Sequence, residues 1–152
     1  MHFSLRLTVT GLMAGMIAAS AIAQDVKPDR AIKYRQGVMG AIGWHFGILG
    51  SMAKGDRAYD KDVPRRSATF VQELSHMPWD GFVAGSDKGA PTKAEPAIWK
   101  EPAKFKEHQD ALMTATPKLV AAANTGDVAQ LRAAVGTVGK ACKECHDDFR
   151  EK

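Results

Sequence analysis

From residue 128 to the end of the chain, apolar side chains and two cysteines recur at alternating intervals of three and four: Val128, Leu131, Val135, Val138, Cys142, Cys145 and Phe149. An α-helix turns once in about 3.6 residues, so this spacing lays all seven on one stripe of a helix from about Asp127 to Glu151. A stripe this regular is the seam of a helix packed against other helices. It constrains the fold because it demands helical partners with matching stripes.

Three earlier segments supply them. The first runs from about Asp29 to Met52, with Asp29 able to cap it after Pro28. Ile32, Arg35, Met39, Ile42, Phe46 and Leu49 trace its inner face. Gly37, Gly40, Gly43, Gly47 and Gly50 lie in the same helix, each costing about 1 kcal/mol relative to Ala. They point to close approach, either to something flat or bulky or to another helix. A second helix spans about Pro64 to His76, with Asp62 as cap and Phe70, Leu74 and Met77 as its apolar stripe. A long connection follows from Pro78 to Pro96, with Trp79 and Phe82 as aromatic islands. A connection of that length in a small domain is usually functional. A third helix begins near Ala97 or Pro102 and ends near Asn124, before Gly126, with Ile98, Phe105, Leu112, Leu119 and Ala123 inward. Pro117 inside it should kink or interrupt it. No segment alternates as a strand does. The expected fold is all-α, an antiparallel four-helix bundle in one domain.

The other end of the chain reads as an export signal. Met1 to Arg6 is weakly positive, Leu7 to Ala19 is apolar and small, and Ala21-Ile22-Ala23 is a small-x-small cleavage site. The apolar run is short of the roughly 20 residues that span a membrane. The expectation is therefore a signal peptide over 1–23, a single mature helical domain over 24–152, a periplasmic location and no stable membrane anchor after cleavage. An uncleaved anchor helix is the alternative. Removing 1–23 takes away Arg6 and no acid, so the net charge falls from +4 to +3 with His neutral. No Lys/Arg run exceeds two residues, and clustered basic residues of the kind that bind nucleic acid are missing.

Both cysteines of the chain fall in Cys142-Lys143-Glu144-Cys145-His146. Two thiols three apart share a helix face, and the imidazole follows at once. Cys-x-x-Cys-His is the signature of covalent c-type haem attachment, the thiols adding to the porphyrin's vinyl groups and the imidazole reaching the iron. A zinc site would need a second ligand pair, and a thioredoxin-like redox pair would need a βαβ context at a helix start. Neither is present. The expected cofactor is one haem c, held by Cys142 and Cys145, with His146 as proximal iron ligand. The opposite iron position has several candidates. Met39 lies on the inner face of the first helix among glycines, His45 on another side nearer solvent, His76 at a helix end, and His108 near the inner stripe of the third helix.

These elements together resemble a known family, the class II c-type cytochromes, which comprise the cytochrome c′ and cytochrome c-556 group. The resemblance covers nearly all of 24–152. It rests on Ile32 to Gln36, Ala53-Lys54-Gly55 with Tyr59-Asp60, Leu74 to Trp79, Pro96 to Trp99, Ala103 to Phe105, Val138 to His146, and Phe149-Arg150. It implies a haem inside the bundle near one end. Arg35 and Gln36 match positions contacting the haem and its propionates, Glu95 and Pro96 match a loop over the haem edge, and Arg150 matches a basic residue near the proximal His. At the position of Met39, cytochromes c′ usually carry a bulky residue that does not bind a five-coordinate iron. The c-556 branch has a Met that binds it, and the Ala-Lys-Gly and Pro-x-Ile-Trp segments look more like that branch.

The resulting expectation is a non-enzymatic electron carrier with His146 and Met39 as axial ligands, serving unidentified redox partner proteins. Its alternative is a five-coordinate haem protein binding nitric oxide or carbon monoxide, with Met39 as a lid. A peroxidase would want a positioned His or acid opposite His146, and no such residue is apparent. Lys140 and Lys143 flank the motif as candidate docking residues, and as plain solvated lysines. The glycine-rich first helix leaves monomer and homodimer open.

Overall fold

The computed structural model describes residues 26–152, so the signal segment expected over 1–23 lies outside the described residues. Among them, α1 spans Pro28–Lys54, α2 Asp62–Leu74, α3 Ala97–Lys100, α4 Pro102–Thr125 and α5 Val128–Phe149. A 3-10 turn at Pro78–Gly81 follows α2. The four long helices form a closed ring in which α1 packs on α2, α2 on α4, α4 on α5 and α5 on α1. This is the all-α four-helix bundle that the stripes require. No helix among the described residues is long and apolar enough to cross a membrane.

The seam of α5 packs as its spacing dictates. Leu131, Val138 and Phe149 are buried, while Val128, Val135, Cys142 and Cys145 are half-buried. Asp127 caps this helix, its Oδ1 accepting from the backbone N–H of Ala129 at 2.7 Å and Gln130 at 3.3 Å. The link from α4 is only Gly126 and Asp127, with Gly126 in the left-handed region at φ +78°, so α5 must return alongside α4. Leu49, Val71, Leu119, Leu131 and Val138 are fully buried in the main core, each contributing about 1.5–3 kcal/mol.

Four expectations are corrected. Asp29 does not cap α1; the helix starts at Pro28, and Asp29 sits in its first turn, where its charge suits the positive end of the dipole. Asp62 is the first residue of α2, and the capping acceptor is Asp60, whose Oδ1 takes the N–H of Asp62 at 2.8 Å and of Val63 at 3.3 Å. The buried face of α2 is Pro64, Ser67, Ala68 and Val71; of the expected stripe only Leu74 packs on the main core, half-buried, and Phe70 and Met77 do not. Phe70 and Met77 are 39% and 41% exposed. Small side chains let α2 approach both of its neighbours, where a phenyl ring would hold them apart. Pro117 does not interrupt α4. It is exposed, so the ring and its lost donor face solvent while Leu112, Ala115, Thr116 and Leu119 keep their inward register.

Of the two readings of the α1 glycines, the structure removes the helix–helix contact. A Cβ at Gly37, Gly40, Gly43, Gly47 or Gly50 would meet no heavy atom within 4 Å. None of them serves a tight helix–helix contact within this chain.

Candidate haem-binding site

The long connection is held against α1 by a buried charge. Arg35 is 3% exposed. One guanidinium nitrogen donates to Gly81 O and Ser86 Oγ, both at 2.7 Å; the other donates to Ser86 O at 2.6 Å and Thr92 Oγ1 at 3.0 Å. Its guanidinium carbon also stands 4.7 Å from the centroid of Phe82, a cation–π distance. Burial pushes the Arg35 pKa down from its usual value, but arginine starts so high that it stays charged. The close approach demands glycine at 81, where a Cβ would lie 2.7 Å from Arg35 Cβ and 2.8 Å from Ala31 O. Gln36 donates to Pro91 O at 2.9 Å further along the same loop. The end of the loop pairs with the end of α5: Glu95 N–H donates to Phe149 O at 3.0 Å and Glu151 N–H to Lys93 O at 2.9 Å.

Between α1, the anchored loop and the last turn of α5 lies a cavity of about 460 Å³. That is within the roughly 300–1,000 Å³ of small-molecule and cofactor sites. From α1 it is lined by Arg35, Gln36, Met39 and Gly40, and from α5 by Cys145, His146, Phe149 and Arg150. Trp79, Phe82, Ile98 and Phe105 make its apolar floor, with Thr92, Lys93 and Ala94 at the loop side. The aromatic rings interlock: Phe82 meets Phe105 edge-on at 4.9 Å, and Phe105 meets Phe149 at 5.3 Å. Trp79 is fixed by a bond from its indole N–H to Ser75 O at 2.7 Å.

Of the residues singled out in the sequence, Arg35, Gln36, Met39, Cys145, His146 and Arg150 therefore share one cavity. Cys142 is half-buried one turn behind Cys145 and packs against the main core. Glu95 and Pro96 are off the cavity wall; their neighbours Thr92, Lys93 and Ala94 are on it. The His45 ring lies tilted against Phe70 with centroids 4.7 Å apart, His76 is exposed beyond α2, and His108 bonds to Asp148 at 2.9 Å. None of these three lines the cavity. The loop residues Gly81, Ser86 and Thr92 were missed by sequence reasoning. The signal for them was Arg35 itself, a cation on an apolar stripe that had to find acceptors once buried.

The two thiols are not poised as a redox pair. They are free cysteines. Burial pushes the Cys142 thiol up, and burial with the neighbouring Cys142 and Asp148 pushes Cys145 up to about 11. A reactive dithiol would show the opposite shift. His146 opens on the cavity, and its pKa is lowered first by partial burial and then by the Arg150 charge. That favours the neutral imidazole, the form that binds a metal. No group of three or more His, Cys, Asp or Glu side chains among the described residues could hold a bare metal ion. An iron here needs its ring to supply the remaining ligands. The residues fit a haem: Cys142 and Cys145 would anchor it, and His146 would face its iron.

A helical bundle with a Cys-x-x-Cys-His helix opening on an apolar, ring-sized cavity defines a c-type haem protein. The family model described as Cytochrome C′ matches residues 30–150, and the chain belongs to that family. It carries one covalently attached haem c. Cytochrome c′ of Rubrivivax gelatinosus is 46% identical over 129 residues, 85% of this chain and 100% of that protein. The crystal structure of that cytochrome superposes with a TM-score of 0.79 over 82% of this chain and 98% of that one. Cytochrome c′ of Alcaligenes xylosoxydans is 40% identical over 129 residues, 85% of this chain and 99% of that protein. Solved forms of cytochrome c prime from Alcaligenes xylosoxidans include the nitric oxide complex of a mutant and a carbon monoxide-bound variant. Each has a TM-score of 0.77 and 40% identity, covering 84% of this chain and 98% of that one.

Proposed function

We propose that this is a periplasmic haem protein that binds nitric oxide or carbon monoxide at a five-coordinate iron, with His146 as the only protein ligand to the metal. Cys142 and Cys145 anchor the ring. The observation that carries the reading is the cavity wall around Met39. Met39 is half-buried and packed against the main core, so neighbours hold its side chain. The floor beside it is Trp79, Phe82, Ile98 and Phe105. These side chains offer a ligand no free hydrogen-bond donor, since the indole N–H of Trp79 is spent on Ser75 O, and such an apolar surface favours small uncharged molecules. Arg35, the buried cation on the wall, directs its hydrogen bonds into the loop. The gas-complexed forms of a 40% identical relative support the same reading.

The haem, when bound, supplies an iron that takes up a diatomic ligand or a single electron. The chain's own residues anchor it, fix His146 and line the opposite face with apolar side chains. No catalytic role is assigned, because no second His and no carboxylate is among the residues that line the cavity. A second reading is electron carriage with Met39 as sixth ligand. It is favoured by one observation, that Met39 and His146 line the same cavity. Lys140 and Lys143 are exposed beside the motif, and each pairs with an acid one turn later, Glu144 and Asp147.

Optical titration of the reduced holoprotein with carbon monoxide is the test. Rapid uptake of one carbon monoxide per haem is expected. A reduced protein that binds neither carbon monoxide nor nitric oxide contradicts the proposal.

A further inference from the structure

His146 sits three residues before α5 ends at Phe149. Helix ends have incomplete hydrogen bonding and are where opening begins. The same turn carries Asp147 and Asp148, two acids at the negative end of the helix dipole, where cations are favoured. Asp147 is answered inside α5 by Lys143. Asp148 is answered from another helix. Its Oδ2 accepts from His108 Nε2 at 2.9 Å and from Lys104 Nζ at 3.0 Å, both on α4. The next residue, Phe149, is held by the same stretch of α4. Its ring meets Phe105 at 5.3 Å and His108 at 5.7 Å, both edge-on, and Lys104 Nζ stands 5.7 Å from its centroid. The side chain of His108 is only 16% exposed, against 47% for Lys104. An exposed ion pair contributes little, so the half-buried His108 bond is the stronger link. Neither Lys104 nor His108 lines the cavity.

We propose that His108 and Asp148, assisted by Lys104, are positioning residues that clamp the last turn of α5 and thereby set the orientation of the His146 imidazole toward the haem. The inference rests on His146 as the proximal ligand and is independent of what occupies the opposite face. A carboxylate placed against its own helix dipole keeps its position through the partner it finds on α4. Without that partner the link from this turn to α4 is reduced to the packing of Phe149 and Cys145, beside the backbone pairing to residues 93–95.

The test uses oxidised holoprotein and two readouts. Haem methyl proton NMR shifts report the orientation of the axial imidazole, and thermal denaturation reports stability. His108→Ala and Asp148→Ala are each expected to redistribute the methyl shifts in the same sense, with the double variant adding no further change. Lys104→Ala should move them less. His108→Gln, whose amide can still donate to Asp148, should restore the wild-type pattern. If the alanine variants lose thermal stability but keep the wild-type methyl pattern, the contact is merely structural and the proposal is overturned. Failure of His108→Gln to restore the pattern overturns it as well. The optical spin state of the wild type decides the gas-binding reading separately, and methyl patterns are compared only among variants that share the wild-type spin state.

Discussion

Replacing Arg35 with Met removes the loop's buried anchor while keeping much of the side chain's apolar length. Gly81 O and Ser86 O then lose charged donors at 2.7 and 2.6 Å. Both residues are buried. A buried acceptor left without a partner costs about 1–3 kcal/mol; Ser86 O bears this in full and Gly81 O keeps only a long contact from Ser86 Oγ at 3.4 Å, so the two carbonyls cost about 2–5 kcal/mol together. The other two acceptors matter less. Ser86 Oγ keeps its bond to Val83 O at 2.8 Å, and Thr92 is only half-buried and rehydrates. Against the loss, the variant no longer buries a cation. The net expectation is a destabilisation of about 3 kcal/mol. In a domain of this size 1 kcal/mol moves Tm by roughly 3–5 °C, so Tm should fall by about 10–15 °C. Circular dichroism on the heated holoprotein measures this. Hydrogen exchange should show the loss concentrated in residues 81–96. A fall under about 3 °C, with loop exchange unchanged, refutes the reasoning that Arg35 holds the loop.

Gly81→Ala drives a Cβ into Arg35 Cβ and Ala31 O and should cost about 1–3 kcal/mol in urea denaturation; wild-type stability would contradict the close approach. Cys142→Ala and Cys145→Ala should each leave haem bound through one thioether, visible as a shifted pyridine haemochrome band, and the double variant should release its haem in denaturant. Asp127→Ala should lower the Tm of the holoprotein at pH 7, and the gap to wild type should close in acid. The sign follows from a carboxyl held below its ordinary value by the Gln130 and Ala129 amides. Its contribution is complete above the unfolded pKa of about 3.9 and fades as pH falls through the lower folded value. A gap that stays constant down to pH 2 contradicts the cap.

Much of this was legible in the sequence because it follows from spacing. The seam of α5, the four long helices and the long connection are periodicity and turn chemistry, and they appear where the pattern puts them. The reading of α2 went wrong because it ranked residues by hydrophobicity. A short helix packed on two neighbours buries its small residues and turns Phe70 outward. The cap of α2 moved by two residues because Asp60 and Asp62 are both competent acceptors, and only loop geometry chooses between them. In the site, the cysteines and His146 were legible from chemistry alone. The partners of Arg35 and Asp148 were not, since each lies on a different element 40 or more residues away, or across a loop with no periodic signal. The glycines of α1 suggested contact that is not made within this chain, and only Gly40 reaches the cavity.

The central claim is that His146 alone binds the iron from the protein and that Met39 closes the other face without bonding to it. The optical and electron paramagnetic resonance spectra of the oxidised holoprotein, wild type and Met39→Ala, test it most directly. Both should show a high-spin, five-coordinate spectrum, with faster carbon monoxide binding by the reduced Met39→Ala variant. A low-spin wild-type spectrum with a methionine–iron charge-transfer band that disappears in Met39→Ala would contradict it and establish Met39 as the sixth ligand of an electron carrier.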